Sequence, residues 1–165
     1  MLVKDSEYAG WTLLWYDLAT SKHHKNSWDY NSQLNVSYSE NGTTISKLED
    51  NATWRYWFYN DTAISTTKIG NKNSITSPSI IEFDVTEITG SIVTDVMDGN
   101  SHHLDNYQMT TIGHYKIMLD GSKVTVYKDG TLVKSLDMMG NVRFGFVFNA
   151  KNESITYKNL IVYHL

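Results

Sequence analysis

Cysteine is absent from the 165 residues and proline occurs once. Without thiols there is no disulfide scaffold, no zinc-thiolate site and no cysteine nucleophile. The chain is nonetheless long enough to bury a core without such staples, and one domain over residues 1–165 is expected. No apolar run approaches the roughly 20 residues a membrane helix requires. The opening Met1-Leu2-Val3-Lys4-Asp5-Ser6-Glu7 lacks the charged-then-apolar plan of a signal peptide, so an exported protein would carry this chain as part of a longer polypeptide. Lys and Arg number 14 against 18 Asp and Glu, for a formal charge of -4, and they are scattered. With no basic stripe to displace counterions from a phosphate backbone, nucleic acid is not an expected partner. Phosphate-cradling glycine loops and nucleophile elbows are missing as well.

What the chain does have is aromatic and alternating. Hydrophobic residues make up 41% and aromatics 13% of the composition, with 11 Tyr and 5 Trp, which is too apolar for a disordered chain. Apolar residues recur with period two and nowhere sustain a helical repeat, so an all-β protein with little or no helix is expected. Strands are predicted at 11–17, 33–39, 43–46, 53–59, 80–86, 115–119, 124–127, 132–133, 142–149 and 154–164. A long polar loop is predicted over 60–78. Asp120-Gly121 and Asp129-Gly130 bracket Val124-Thr125-Val126-Tyr127, a strong hairpin signal.

The run from Gly113 through Tyr127-Lys128-Asp129-Gly130, with Val142 to Asn149 and Ile155 to Tyr163, resembles the last half of concanavalin A-like lectin/glucanase domains, of which laminin-G-like jelly rolls are one form. That resemblance implies a two-sheet antiparallel β-sandwich whose concave sheet holds the ligand. Alternation supplies the candidate ligand-binding set. With Ile81, Phe83 and Val85 inward, Glu82 and Asp84 face outward, and the same parity sends His114, Lys116, Arg143 and Asn149 outward. They are expected to share one surface.

Glu82-Phe83-Asp84-Val85-Thr86-Glu87 also matches the Glu-x-Asp-x-x-Glu spacing of laminarinase- and lichenase-type glycoside hydrolases. That resemblance implies Glu82 as nucleophile, Glu87 as acid/base and Asp84 between them. Retention needs carboxyl groups about 5–5.5 Å apart, whereas five positions along an ideal strand span about 16 Å with opposite parity. A bulge must therefore return Glu87 to the face of Glu82.

Trp54, Tyr56 and Phe58 share one side of their strand, and Arg55, Trp57 and Tyr59 the other. The charged side is the expected exposed, sugar-stacking set, while Trp11, Trp15 and Tyr16 are expected in core and edge packing rather than as ligand platforms. His23-His24 and His102-His103 are adjacent pairs expected in loops and poorly placed to chelate. No cofactor is expected, although Asp95, Asp98 and Asp105 near Gly99 offer oxygen ligands for calcium. Three functions follow from these features. The first is a carbohydrate-binding or adhesion module of an extracellular, cell-surface or virion-surface protein, with a surface glycan as partner. The second is a glycoside hydrolase, and the third a structural sandwich that binds no small ligand.

Overall fold

Alternating apolar residues become paired strands throughout the described chain. The computed structural model describes residues 12–17, 34–49, 53–58, 68–69, 72–73, 78–97, 103–138 and 143–164. In chain order the strands are β1 (Thr12–Asp17), β2 (Leu34–Ser39), β3 (Gly42–Lys47), β4 (Trp54–Phe58), β5 (Lys68–Ile69), β6 (Lys72–Asn73), β7 (Ser79–Thr89), β8 (Ile92–Met97), β9 (His103–Met109), β10 (Gly113–Leu119), β11 (Lys123–Lys128), β12 (Thr131–Asp137), β13 (Arg143–Phe148) and β14 (Ser154–His164). No helix occurs among the described residues.

Two antiparallel sheets form the sandwich. The larger has eight strands in the order β12-β11-β10-β7-β14-β3-β2, with β1 also alongside β14; the smaller is β4-β13-β8-β9. The short β5-β6 ribbon stands apart and places regular structure inside the predicted 60–78 loop.

The core lies between the sheets. Ile81, Phe83 and Val85 of β7, Tyr115, Ile117 and Leu119 of β10, and Ile155, Tyr157 and Val162 of β14 face Phe144, Phe146 and Phe148 of β13 and Ile92 and Val96 of β8. Phe83 is the hub: its ring stacks on Tyr115 at 5.7 Å and meets Phe146 edge-on at 5.4 Å. Such pairs add about 0.5–1.5 kcal/mol each beyond area burial. The Tyr115 hydroxyl donates to the Thr111 carbonyl at 2.8 Å, so its burial leaves no orphaned donor.

Sequence reasoning did not predict β8 and β9. Residues 92–96 of β8 are buried on both faces, Thr94 and Asp95 included, which hides the period-two signal. A register shift between Thr94 and Asp95 against β9 breaks that strand's alternation. His103 opens β9 rather than lying in a loop, a correction to the expected placement; His23, His24 and His102 lie outside the described residues.

Candidate functional site

Strand β7 sits between β10 and β14, and its outward residues gather the site. Across the ladders Asp84 stands opposite His114 and Lys158, and Glu82 opposite Lys116 and Ile161. His114 joins the two carboxylates: Nε2 lies 2.8 Å from Glu82 Oε1 and Nδ1 2.7 Å from Asp84 Oδ1. Asn159 Nδ2 donates to the other Asp84 oxygen at 2.9 Å. Asn159 is thus linked to Asp84, Asp84 to His114, and His114 to Glu82. Among the described residues only His114 is bonded to the Glu82 carboxyl, through Oε1.

Local backbone chemistry sets each member in place. Asn159 has φ +56 in the irregularity where β14 slips register between Lys158 and Ile161. Asn tolerates this left-handed conformation better than most residues, and the kink aims its amide at Asp84. His114 is fixed from the opposite edge. Its N–H donates to Asp129 Oδ1 at 2.8 Å, and the Asp129 N–H donates back to the His114 carbonyl at 2.8 Å. Asp129 and Gly130 both have positive φ (48 and 83), as a tight hairpin turn demands. A side chain at Gly113 (φ +155) would meet the Asp129 carboxylate at 2.9 Å, so glycine permits that approach.

Electrostatics reinforce the chain of contacts. Burial pulls the His114 pKa down, but hydrogen bonds to Glu82 and Asp84, with their charges, outweigh it and leave the pKa raised. Burial pushes Asp84 up, while Asn159, His114 and the charge of Lys158 bring it below its ordinary value. The imidazolium is therefore the favoured partner of ionised Asp84. Nearby, burial first and the Glu82 charge second raise the Tyr163 hydroxyl. Lys116 Nζ lies 5.0 Å from the centre of the Tyr127 ring, a cation–π distance. The side chains of Glu82, Asp84 and His114 are 14%, 34% and 45% exposed, so the cluster is half-sunk in an open sheet face.

The expected single surface divides in two. Glu82, Asp84, His114 and Lys116 lie together on the larger sheet, but Arg143 opens β13 of the smaller sheet and Asn149 follows that strand. These two do not join the others, because β13 crosses to the opposite layer. Arg55 and Trp57, on β4 of the smaller sheet, pair with Val147 and Gly145; Tyr59 lies outside the described residues. Trp54, Tyr56 and Phe58 stand opposite the core residues Phe148, Phe146 and Phe144. Trp15 and Tyr16 pair with Val162 and Ile161, and Trp11 lies outside the described residues.

The bulge required by the Glu-x-Asp-x-x-Glu spacing is present. Val85 and Glu87 pair with the consecutive residues Tyr157 and Thr156, which leaves Thr86 as the extra residue. The outward pair Glu87–Thr156 then lies between core-side pairs, on the side of Glu82. Four rungs still separate Glu82 from Glu87, roughly 13 Å, and the close carboxylate pair is Glu82 with Asp84 across His114. Of the expected calcium ligands, Asp95 is buried on β8 opposite Asp105 of β9, and Asp98 lies outside the described residues. Among the described residues no group of three or more His, Asp or Glu is placed to hold a metal ion.

Parity places Glu82, Asp84, His114 and Lys116 outward on adjoining strands, and the structure adds Asn159, Asp129, Tyr127 and Tyr163 around them. Asn159 was recoverable in principle as an Asn interrupting an apolar strand, and Asp129 as the turn residue next in space to His114.

No protein-family model matches the chain, and no curated protein matches it. Solved structures do. A galectin-like-fold protein of unknown function from Bacillus subtilis aligns with TM-score 0.58 at 11% identity, over 93% of this chain and 98% of that one. A candidate glycosyl hydrolase from Parabacteroides distasonis aligns with TM-score 0.58 at 11% identity, over 92% and 100%. A transglycosylase in its apo form aligns with TM-score 0.55 at 10% identity, over 91% and 83%. At such identities the shared property is the jelly-roll sandwich.

Proposed function

We propose that this chain is a non-catalytic carbohydrate-recognition module of the concanavalin A-like kind, carried by a larger cell-surface or phage-tail protein and acting outside the cell on a surface glycan. One observation carries the reading. The Glu82 carboxylate, mostly buried, is held by His114 on one oxygen, while its other oxygen takes no donor from the described residues. An oriented, partly desolvated acceptor near the Tyr163 hydroxyl suits a sugar, whose hydroxyls donate. The match in fold to a candidate glycosyl hydrolase and a transglycosylase supports this ligand class.

Hydrolysis is the second reading, favoured by the Thr86 bulge that brings Glu87 to the side of Glu82 and Asp84. A glycan array run with a reducing-sugar release assay separates the readings. Saturable binding without release is the expected result. Release that disappears in Glu87→Gln establishes the hydrolase instead, and silence in both assays leaves a structural sandwich.

A further inference from the structure

At the end of the sandwich, about seven rungs or roughly 23 Å along β7 from Glu82, a cleft of about 450 Å³ opens between the β7–β8 turn and the β13–β14 loop. This volume falls in the range of roughly 300–1,000 Å³ typical of small-molecule sites. Its walls are held in place by backbone bonds. Lys47 N–H donates to the Glu153 carbonyl and Asn152 N–H to the Lys47 carbonyl, both at 3.0 Å, docking the loop on the end of β3. The Glu153 side chain, 7% exposed, accepts the N–H groups of Asn149 (2.8 Å) and Ala150 on Oε1. Gly90 has φ +76, and a Cβ there would lie 3.0 Å from Glu153 Cγ, so glycine lets the turn and the carboxylate stem pass each other.

A second, independent observation lies in the same wall. The Ser91 hydroxyl is buried and, among the described residues, has no hydrogen-bond partner, a cost folded proteins do not normally carry. A turn about its single side-chain bond would be needed to present it to the cleft. Gln108, Asn149 and Asn152 are among the described residues that line the cleft, and the Asn149 side-chain oxygen accepts from Thr53 Oγ1 at 2.9 Å. Among the described lining residues the formally charged ones, Lys151 and Glu153, cancel, so they set up no net charge that favours an ion. Planar amides pair a donor with an acceptor, which matches neighbouring sugar hydroxyls.

We propose that this cleft is a second, separate subsite for a short neutral saccharide, making the module bivalent. The inference rests on the carbohydrate reading but not on the Glu82 site. Because the two sites are far apart on the same strands, each binds on its own, and together they grip a long or clustered glycan more tightly than either does alone.

The test is a titration of the isotope-labelled full chain with glucose, galactose, mannose and N-acetylglucosamine in turn, followed through backbone amide shifts. At least one sugar should shift Gly90, Ser91, Ala150 and Asn152 saturably. Ser91→Ala and Gln108→Ala should each weaken that response several-fold, Ser91→Ala with an unchanged or higher melting temperature because it deletes an unpaired hydroxyl, and Glu82→Gln should leave it intact. Immobile amides with all four sugars overturn the subsite, as does wild-type affinity in both cleft variants. Shifts at the cleft with none around His114 uphold this site and count against the sheet-face site; the reverse pattern does the opposite.

Discussion

His114→Ala removes the link between two carboxylates, and its cost should depend on pH with a definite sign. Each lost contact is a hydrogen bond to a charged group, about 1.5–3 kcal/mol when shielded, whereas exposed ion pairs contribute about 0.2–1 kcal/mol. With His114 at 45% and Asp84 at 34% exposure the Asp84 contact belongs near the lower figure, while Glu82 at 14% retains more. A combined loss of about 1–2 kcal/mol follows, or roughly 2–8 °C in melting temperature for a chain of this size. Because the folded pKa of His114 is raised, this stabilisation is fully present below the ordinary histidine value and fades as pH rises through the folded value. Neutral imidazole keeps one N–H and satisfies one carboxylate only. Urea unfolding of wild type and His114→Ala at about pH 5.5 and about pH 8.5 should therefore show the variant's deficit shrinking by about half at the higher pH. An equal deficit at both, or a larger one at high pH, would refute the linkage through imidazolium.

Three other outcomes follow from the same geometry. Gly113→Ala should cost about 1–3 kcal/mol in chemical denaturation, since it places a Cβ at positive φ against the Asp129 carboxylate, and it should broaden or shift the His114 ring resonances. Phe83→Ala, which empties the hub of the aromatic core, should cost about 3–5 kcal/mol; a loss under about 1 kcal/mol would mean the layers are not packed through that ring. Glycan affinity at the sheet face should fall as pH rises through the His114 transition, because deprotonation withdraws a donor from one of the two carboxylates that organise the site. A flat profile across that range would separate His114 from binding.

The parts of the structure legible in sequence are those where one face of a strand is greasy and the other wet. β7 and β10 display that contrast residue by residue, so Glu82, Asp84, His114 and Lys116 were placed on one surface correctly. β8 is buried on both sides and β9 carries a shifted register, so neither shows the contrast. Parity also cannot say which layer a strand joins. Val142 to Asn149 reads as well-formed alternation, yet only the pairing of β13 with β4 and β8 reveals that Arg143 belongs to the other sheet. Asn159 shows in the sequence only as a polar residue interrupting an apolar strand; the register shift between Lys158 and Ile161 that brings it to Asp84 depends on the pairing with β7.

The proposed glycan site is the outward face of β7, β10 and β14. Calorimetric titration of the strongest array glycan into wild type, Glu82→Gln and Arg143→Ala tests this most directly. The expected result is a loss of about tenfold or more, at least about 1.4 kcal/mol, for Glu82→Gln and wild-type affinity for Arg143→Ala. Full affinity in Glu82→Gln, with loss in Arg143→Ala, would move the site to the opposite layer.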